Sequence, residues 1–207
     1  MNIPTNNILA KMRDGVRARG CALTFPSNNL VELIGLAELD FLYLDGEHGS
    51  FSPNEIEDMC RVAELYGLTT VARVPDIRSS TILTYLDRGV MGIEGLHVTT
   101  GEDAEQIVNA CYFSPTGSRG ISFSRGARYG TAGATSEYTQ KLNREMFVFA
   151  LLEDVRVLDD IDGVLSGRWH PCLSRWHLRP GRLHGPPWQS GPSRRSGRDQ
   201  ENHRSDP

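Results

Sequence analysis

Apolar positions along the first 167 residues switch repeatedly between two spacings. Residues 6–18 (NNILAKMRDGVRA) place them at helical intervals, with Asn6 or Asn7 as a cap. CALTF (21–25) is a short apolar run that suits a buried strand. Pro26, Ser27 and Asn28 interrupt it, and residues 29–39 resume helical spacing. FLYLD (41–45) is the next predicted strand. Ser52 and Pro53 then open a helix running to about Tyr66. The hydroxyl caps it, proline suits the first turn, and Glu55 and Glu57 favour the positive end of the helix dipole. The pattern continues with strand 69–74, helix 79–88, strand 91–98, helix 102–112, a helix near 135–144 and strand 147–153. A Gly-, Ser- and Arg-rich loop fills 114–134, a length that often marks function.

Strand-then-helix units at this spacing imply a parallel sheet with right-handed crossovers. A doubly wound sheet and a β/α barrel both satisfy the pattern. No G-x-G-x-x-G follows a predicted strand and no G-x-x-x-x-G-K-[ST] occurs, so a nucleotide-binding doubly wound fold lacks its signature. Charged groups collect where strands end: Asp45, Glu47 and His48, then Arg73, His97 and Glu153. Chemistry in β/α barrels sits at that end. The expected fold is therefore α/β of the (β/α)8 TIM-barrel type, incomplete at about six β/α units, with an irregular C-terminal tail.

Charge divides the 207-residue chain. Residues 1–167 hold 23 acids and 14 bases, whereas 168–207 hold 3 acids and 8 bases. The second segment carries all three tryptophans, four of six histidines and six prolines, without strand alternation or a helical face. The expected division is a partial barrel over 1–167 and a basic, disordered tail over 168–207. Four cysteines lie far apart with no C-x-x-C pair, which suits reduced thiols. No apolar run reaches a membrane-spanning length and the N-terminus lacks a signal core, so a cytoplasmic protein with neither membrane nor nucleic-acid partner is expected.

Asp45-Gly46-Glu47-His48-Gly49 puts three titratable groups directly after a buried strand. A charge at a dry strand end needs a partner, a metal or solvent. The segment reads either as a solvated loop with a helix cap or as an acid/base cluster beside a metal. Arg73 offers a planar fork for a carboxylate or carbonyl ligand, or a structural ion pair with Asp45 or Glu47. Glu153 follows an otherwise uncharged apolar run, as a metal ligand or as half of a rim salt bridge. His97 reads as a rim residue more readily than as a ligand. Only Lys11 and Lys141 are available, neither at a predicted strand end, which counts against Schiff-base chemistry.

Several strings together resemble the HpcH/HpaI aldolase family of metal-dependent pyruvate aldolases. They are LDFLYLDGEHGSFS (39–52), VARVPD (71–76), LDRGVMGI (86–93), TTGEDAEQIVNACYFSPTGSRG (99–120) and ALLEDVRVLDDIDGVLSG (150–167). The resemblance spans about residues 5–167. It implies a barrel, a homo-hexamer, and cleavage of 4-hydroxy-2-oxo acids to pyruvate and an aldehyde with a divalent cation (Mg²⁺, Mn²⁺ or Co²⁺). It further implies Glu153 as metal ligand and Arg73 on the pyruvate oxygens. His48 would transfer the proton with Asp87 as its carboxylate partner, Asp45 and Glu47 would stand near the metal's waters, and Gly117, Ser118, Arg119 and Gly120 would lie beside substrate.

The resemblance departs at Leu96, where the family has proline, and breaks off at Gly167. The family's second metal carboxylate would follow, yet no Asp occurs until Asp199. Codons for residues 177–188, read one base onward, permit a segment close to the missing family text. A reading-frame shift near residue 167 accounts for that. Such a chain would have open barrel edges, one metal carboxylate, a weakened oligomer and little or no activity. A non-catalytic truncated product and a citryl-type lyase are the alternatives.

Overall fold

The computed structural model describes residues 3–166. The expected tail over 168–207 lies outside them. Five parallel strands, β1 (Gly20–Leu23), β2 (Phe41–Asp45), β3 (Thr69–Arg73), β4 (Gly92–Gly95) and β5 (Phe147–Ala150), pair in sequential order. An order that never reverses has no topological switch point, which sets this sheet apart from doubly wound folds and gives the barrel-type winding. The helices are α1 (Asn7–Arg13), α2 (Asn28–Leu36), α3 (Pro53–Leu65), α4 (Ser79–Arg88), α5 (Gly101–Cys111), α6 (Thr135–Glu145) and α7 (Ile161–Leu165). No helix among the described residues is long and apolar enough to cross a membrane.

Local chemistry explains the boundaries. In α3, Ser52 and Glu55 form a reciprocal capping box with Pro53 in the first turn. Thr100 and Asp103 do the same for α5. The first helix ends at Arg13, short of the expected residue 18, because Gly15 takes a left-handed φ of +68° that turns the chain. Likewise β4 stops at Gly95: His97 adopts φ +51°, and a left-handed residue cannot continue a strand.

Alternation along the strands makes two cores. Leu42, Leu44, Ala72, Ile93 and Val148 face the helices and are all fully buried. The opposite face gathers Val71, Phe147 and Phe149 with Ile8 and Leu9, so α1 plugs the inner side. Asn6 fixes that plug: its amide donates to the carbonyls of Met91 (3.2 Å) and Glu145 (3.0 Å), just before β4 and β5. The first helix therefore closes the N-terminal end of the sheet and leaves the C-terminal end open.

Candidate active site at the C-terminal ends of the strands

Registered pairing places Asp45 beside Arg73 and Arg73 beside Glu94 on adjacent parallel strands. Residues in register share a face, so one level of the inner side is charged. Arg73 meets Asp45 as a fork on a fork. Its Nε donates to Oδ1 at 2.9 Å and its Nη2 donates to Oδ2. The third nitrogen, Nη1, lies 3.0 Å from Glu47 Oε2. Asp45 Oδ1 also accepts from the backbone N–H groups of Glu47 (3.2 Å) and His48 (3.1 Å), folding the DGEHG turn over its own strand end. The turn needs Gly49, because a Cβ there would stand 2.2 Å from the Asp45 carbonyl and 2.7 Å from that of Thr24.

From Glu47 the network extends outward. The His48 ring lies 3.4 Å from Glu47 Oε2 and is mostly exposed. His97 spans the gap to Glu153: Nε2 is 3.8 Å from Glu47 Oε1 and Nδ1 is 3.1 Å from Glu153 Oε1. The left-handed turn at His97, a conformation costing about 1–2 kcal/mol outside glycine, aims the ring between those carboxylates. Arg73 and Glu153 thus stand at one rim, joined through Glu47 and His97. Glu153 lies three residues beyond β5, since the strand ends at Ala150 and not at residue 153.

Burial works against the Asp45 charge, yet the Arg73 fork and the N–H groups of the turn outweigh it and hold this carboxyl below the usual range. A carboxyl lowered by folding stabilises the native state above its unfolded pKa of about 3.9 and loses that contribution as pH falls through the lower folded value. The stability gap between the parent and Asp45→Asn is therefore expected to be widest at neutral pH. It should narrow on acidification below the ordinary carboxylate range, as followed by urea unfolding at a series of pH values. A gap independent of pH would contradict the assignment.

Sequence patterning did not single out Glu94. It is 2% exposed on β4, and the Tyr43 hydroxyl donates to its Oε2. Burial and that carboxylate push the Tyr43 phenol above its ordinary pKa. The available signal was a charge in the middle of the apolar run MGIEGLHV.

Other expected site residues lie elsewhere. Asp87 occupies the last turn of α4, whose direction opposes the strands, so it falls at the N-terminal end, away from His48. There its Oδ1 accepts from the hydroxyls of Ser122 (3.1 Å) and Ser124 (3.0 Å). Gly117, Ser118, Arg119 and Gly120 fold onto the C-terminal turn of α5, where Ser118 N–H donates to Asn109 O at 2.8 Å and Arg119 N–H to Tyr112 O at 2.9 Å. Within one chain these four residues are not brought to the Arg73–Glu153 rim.

Comparison with known proteins gives several aldolases. The hydroxypyruvate/pyruvate aldolase of Sagittula stellata is 29% identical over 177 residues, covering 81% of this chain and 69% of that protein. The 4-hydroxy-2-oxovalerate aldolase of Novosphingobium aromaticivorans is 29% identical over 167 residues, covering 80% and 63%. A solved structure, the HpcH/HpaI aldolase from Desulfitobacterium hafniense DCB-2, superposes with a TM-score of 0.70 at 26% identity, covering 78% of this chain and 62% of that one. This chain is a relative of the HpcH/HpaI aldolases. No family model matches it. The alignments span 63–69% of the two aldolases' length, about two thirds.

Kinship with HpcH/HpaI aldolases raises the question of a divalent cation. Glu153 fits as a hard oxygen ligand: its side chain is 30% exposed at the open end, with His97 as its near neighbour. Beyond it the donor set is incomplete, since no group of three or more His, Cys, Asp or Glu among the described residues could hold a metal ion.

Proposed function

We propose that the rim formed by Arg73, Glu47, His48 and Glu153 serves carbon–carbon bond cleavage of 4-hydroxy-2-oxo acids, giving pyruvate and an aldehyde. The observation that carries this reading is the joining of Arg73 to Glu153 through Glu47 and His97 at one end of a barrel-type sheet. Glu153 would hold the cation (Mg²⁺, Mn²⁺ or Co²⁺), which when bound would draw charge from the substrate's keto oxygen.

The chain's own side chains supply the rest. Asp45 grips two nitrogens of Arg73 and fixes the plane of the guanidinium, leaving Nη1 for a third oxygen. Glu47 occupies that position, so an anionic 2-oxo acid would take it over and gain a fixed positive charge as the enolate develops. Cleavage removes the proton from the 4-hydroxyl, breaks the C3–C4 bond and leaves its electrons on the pyruvate enolate, which is then protonated at C3. His48, exposed beside Glu47, is the group placed to carry that proton. With one carboxylate for the cation among the described residues, turnover is expected below the ordinary ~1 per second. The implied assembly is a homo-oligomer. The exposed Phe123 and Ile121 of the long loop are apolar surface it could cover.

Binding tests this reading without depending on rate. Oxalate, a planar mimic of the enolate, and Mn²⁺ are expected to raise the melting temperature together more than the sum of each alone. The joint shift should reach roughly 5 °C at a hundredfold excess over Kd. Arg73→Lys and Glu153→Gln should each abolish the synergy. Equal synergy in either variant, or none in the parent, refutes the proposal.

A further inference from the structure

Backbone strain at the rim falls on His97. The other non-glycine residues with a left-handed φ among the described residues are Glu38, which follows α2, and Arg128 and Tyr129 of the long loop. At φ +51° His97 sits in a region that disfavours any residue with a Cβ. Its neighbours hold it there. Leu96 and Val98 are both buried, so the backbone between them cannot relax without pulling one of them from its packing. The His97 side chain points outward, 66% exposed, and its Nδ1 meets Glu153 Oε1 at 3.1 Å. A contact so open to water contributes little stability, so it does not offset the strain. Glycine would fold at least as well at this position. What the imidazole adds is a hold on Glu153.

Glu153 needs such a hold. The last rung of the sheet on its segment is the bond from Leu151 N–H to the Gly95 carbonyl at 3.0 Å, and neither Leu152 nor Glu153 continues it among the described residues. Asp154 then caps the 3-10 turn Val155–Asp160, where Arg156 Nη2 lies 2.6 Å from its Oδ2. That ion pair takes the adjacent acid out of competition for the imidazole. Glu153 therefore stands between two anchored points with its own side chain steadied by His97. On its other edge the ring approaches Glu47, with Nε2 3.8 Å from Oε1, and Glu47 is the acid on Arg73 Nη1. The ring thus sets the spacing between Glu153 and the carboxylate beside the arginine.

We propose that His97 is a positioning residue for Glu153, giving up backbone stability to fix Oε1 and so turn Oε2 towards a cation. The inference rests on the reading of Glu153 as a metal ligand, and the experiment below separates the two.

Three variants of the full-length protein distinguish positioning from a structural role. His97→Gly removes both strain and ring. His97→Ala removes the ring and keeps the strain. His97→Asn tolerates the left-handed backbone and keeps a side-chain N–H. His97→Gly is expected to melt about 3 °C above His97→Ala. Affinity for Mn²⁺ alone, read from the electron paramagnetic resonance of the free ion, should nevertheless fall about tenfold in both, and His97→Asn should recover part of it. Affinity that follows melting temperature, with His97→Gly binding as the parent does, overturns the proposal. If Glu153→Ala loses Mn²⁺ affinity while the His97 variants keep it, the metal reading stands and the role of His97 falls. If the parent binds Mn²⁺ no better than Glu153→Ala, the metal reading fails and takes the proposal with it. The link is also measured without any ion. His97→Gly should raise the melting temperature about 2 °C more in a Glu153→Ala background than in the parent, because no contact is lost there. Additivity of the two substitutions within about 1 °C overturns the proposal as well.

Discussion

Replacing Arg73 by methionine is expected to lower the unfolding free energy by about 3 kcal/mol, read by urea denaturation at neutral pH. Exposed ion pairs contribute little, and this one would contribute little too if it lay in solvent. It does not: the side chains of Arg73, Asp45 and Glu47 are 15%, 11% and 20% exposed. Removing the guanidinium leaves Asp45 and Glu47 beside the Glu94 level of the sheet with no cation between them, and methionine supplies no donor. The cost is the desolvation of charges that folding brought together, not the loss of one attraction. A double-mutant cycle isolates this. Asp45→Asn removes one of the stranded charges, so the double variant should be more stable than the sum of the singles predicts, by about 1.5 kcal/mol or more. Additivity within about 0.5 kcal/mol would mean that the fork does not tie the two strand ends. The same cycle separates structure from chemistry. If the fork mainly positions Arg73, Asp45→Asn should weaken oxalate synergy while leaving the fold intact.

Much of this was legible before any coordinates, for a physical reason. Elements punctuated by strong local signals were read closely: the helix opened by Ser52 and Pro53 spans Pro53–Leu65, and FLYLD is the strand Phe41–Asp45. Errors arose where one backbone angle overrode the apolar pattern, at Gly15 and at His97. The rim residues stood out because a charge at the end of an apolar run is rare, which exposed Asp45, Arg73 and Glu153. Glu94 escaped because it lies inside its strand, where only register against Arg73 reveals its meaning. His97 was read as a rim residue, and its role as the link between Glu47 and Glu153 depends on a left-handed turn that spacing does not announce. The far-end position of Asp87 was in principle readable: a residue in the last turn of a crossover helix must lie at the N-terminal end of a parallel sheet. The buried state of Arg119 was not, because it depends on how the long loop folds back onto α5.

Truncating Leu42 to alanine is expected to cost about 3–4 kcal/mol, within the range for a fully buried leucine, whereas Leu36→Ala should change stability by less than about 0.5 kcal/mol. The two residues look alike in sequence. Leu42 is 0% exposed on β2, flanked by β1 and β3 and packed towards the helices, so deleting its side chain opens a cavity in the layer that holds the sheet to them. Leu36 ends α2 and is 68% exposed. Urea denaturation of both variants measures the contrast, and a similar loss for each would show that the outer layer is not the main core. The comparison bears on the site as well. Leu42 lies three residues before Asp45 on the same strand, and the Asp45–Arg73 fork has no anchor on β2 other than its backbone. If packing at Leu42 sets the position of that strand end, Leu42→Ala should also reduce the oxalate and Mn²⁺ synergy, although residue 42 faces away from the inner side. Leu36→Ala should leave the synergy unchanged.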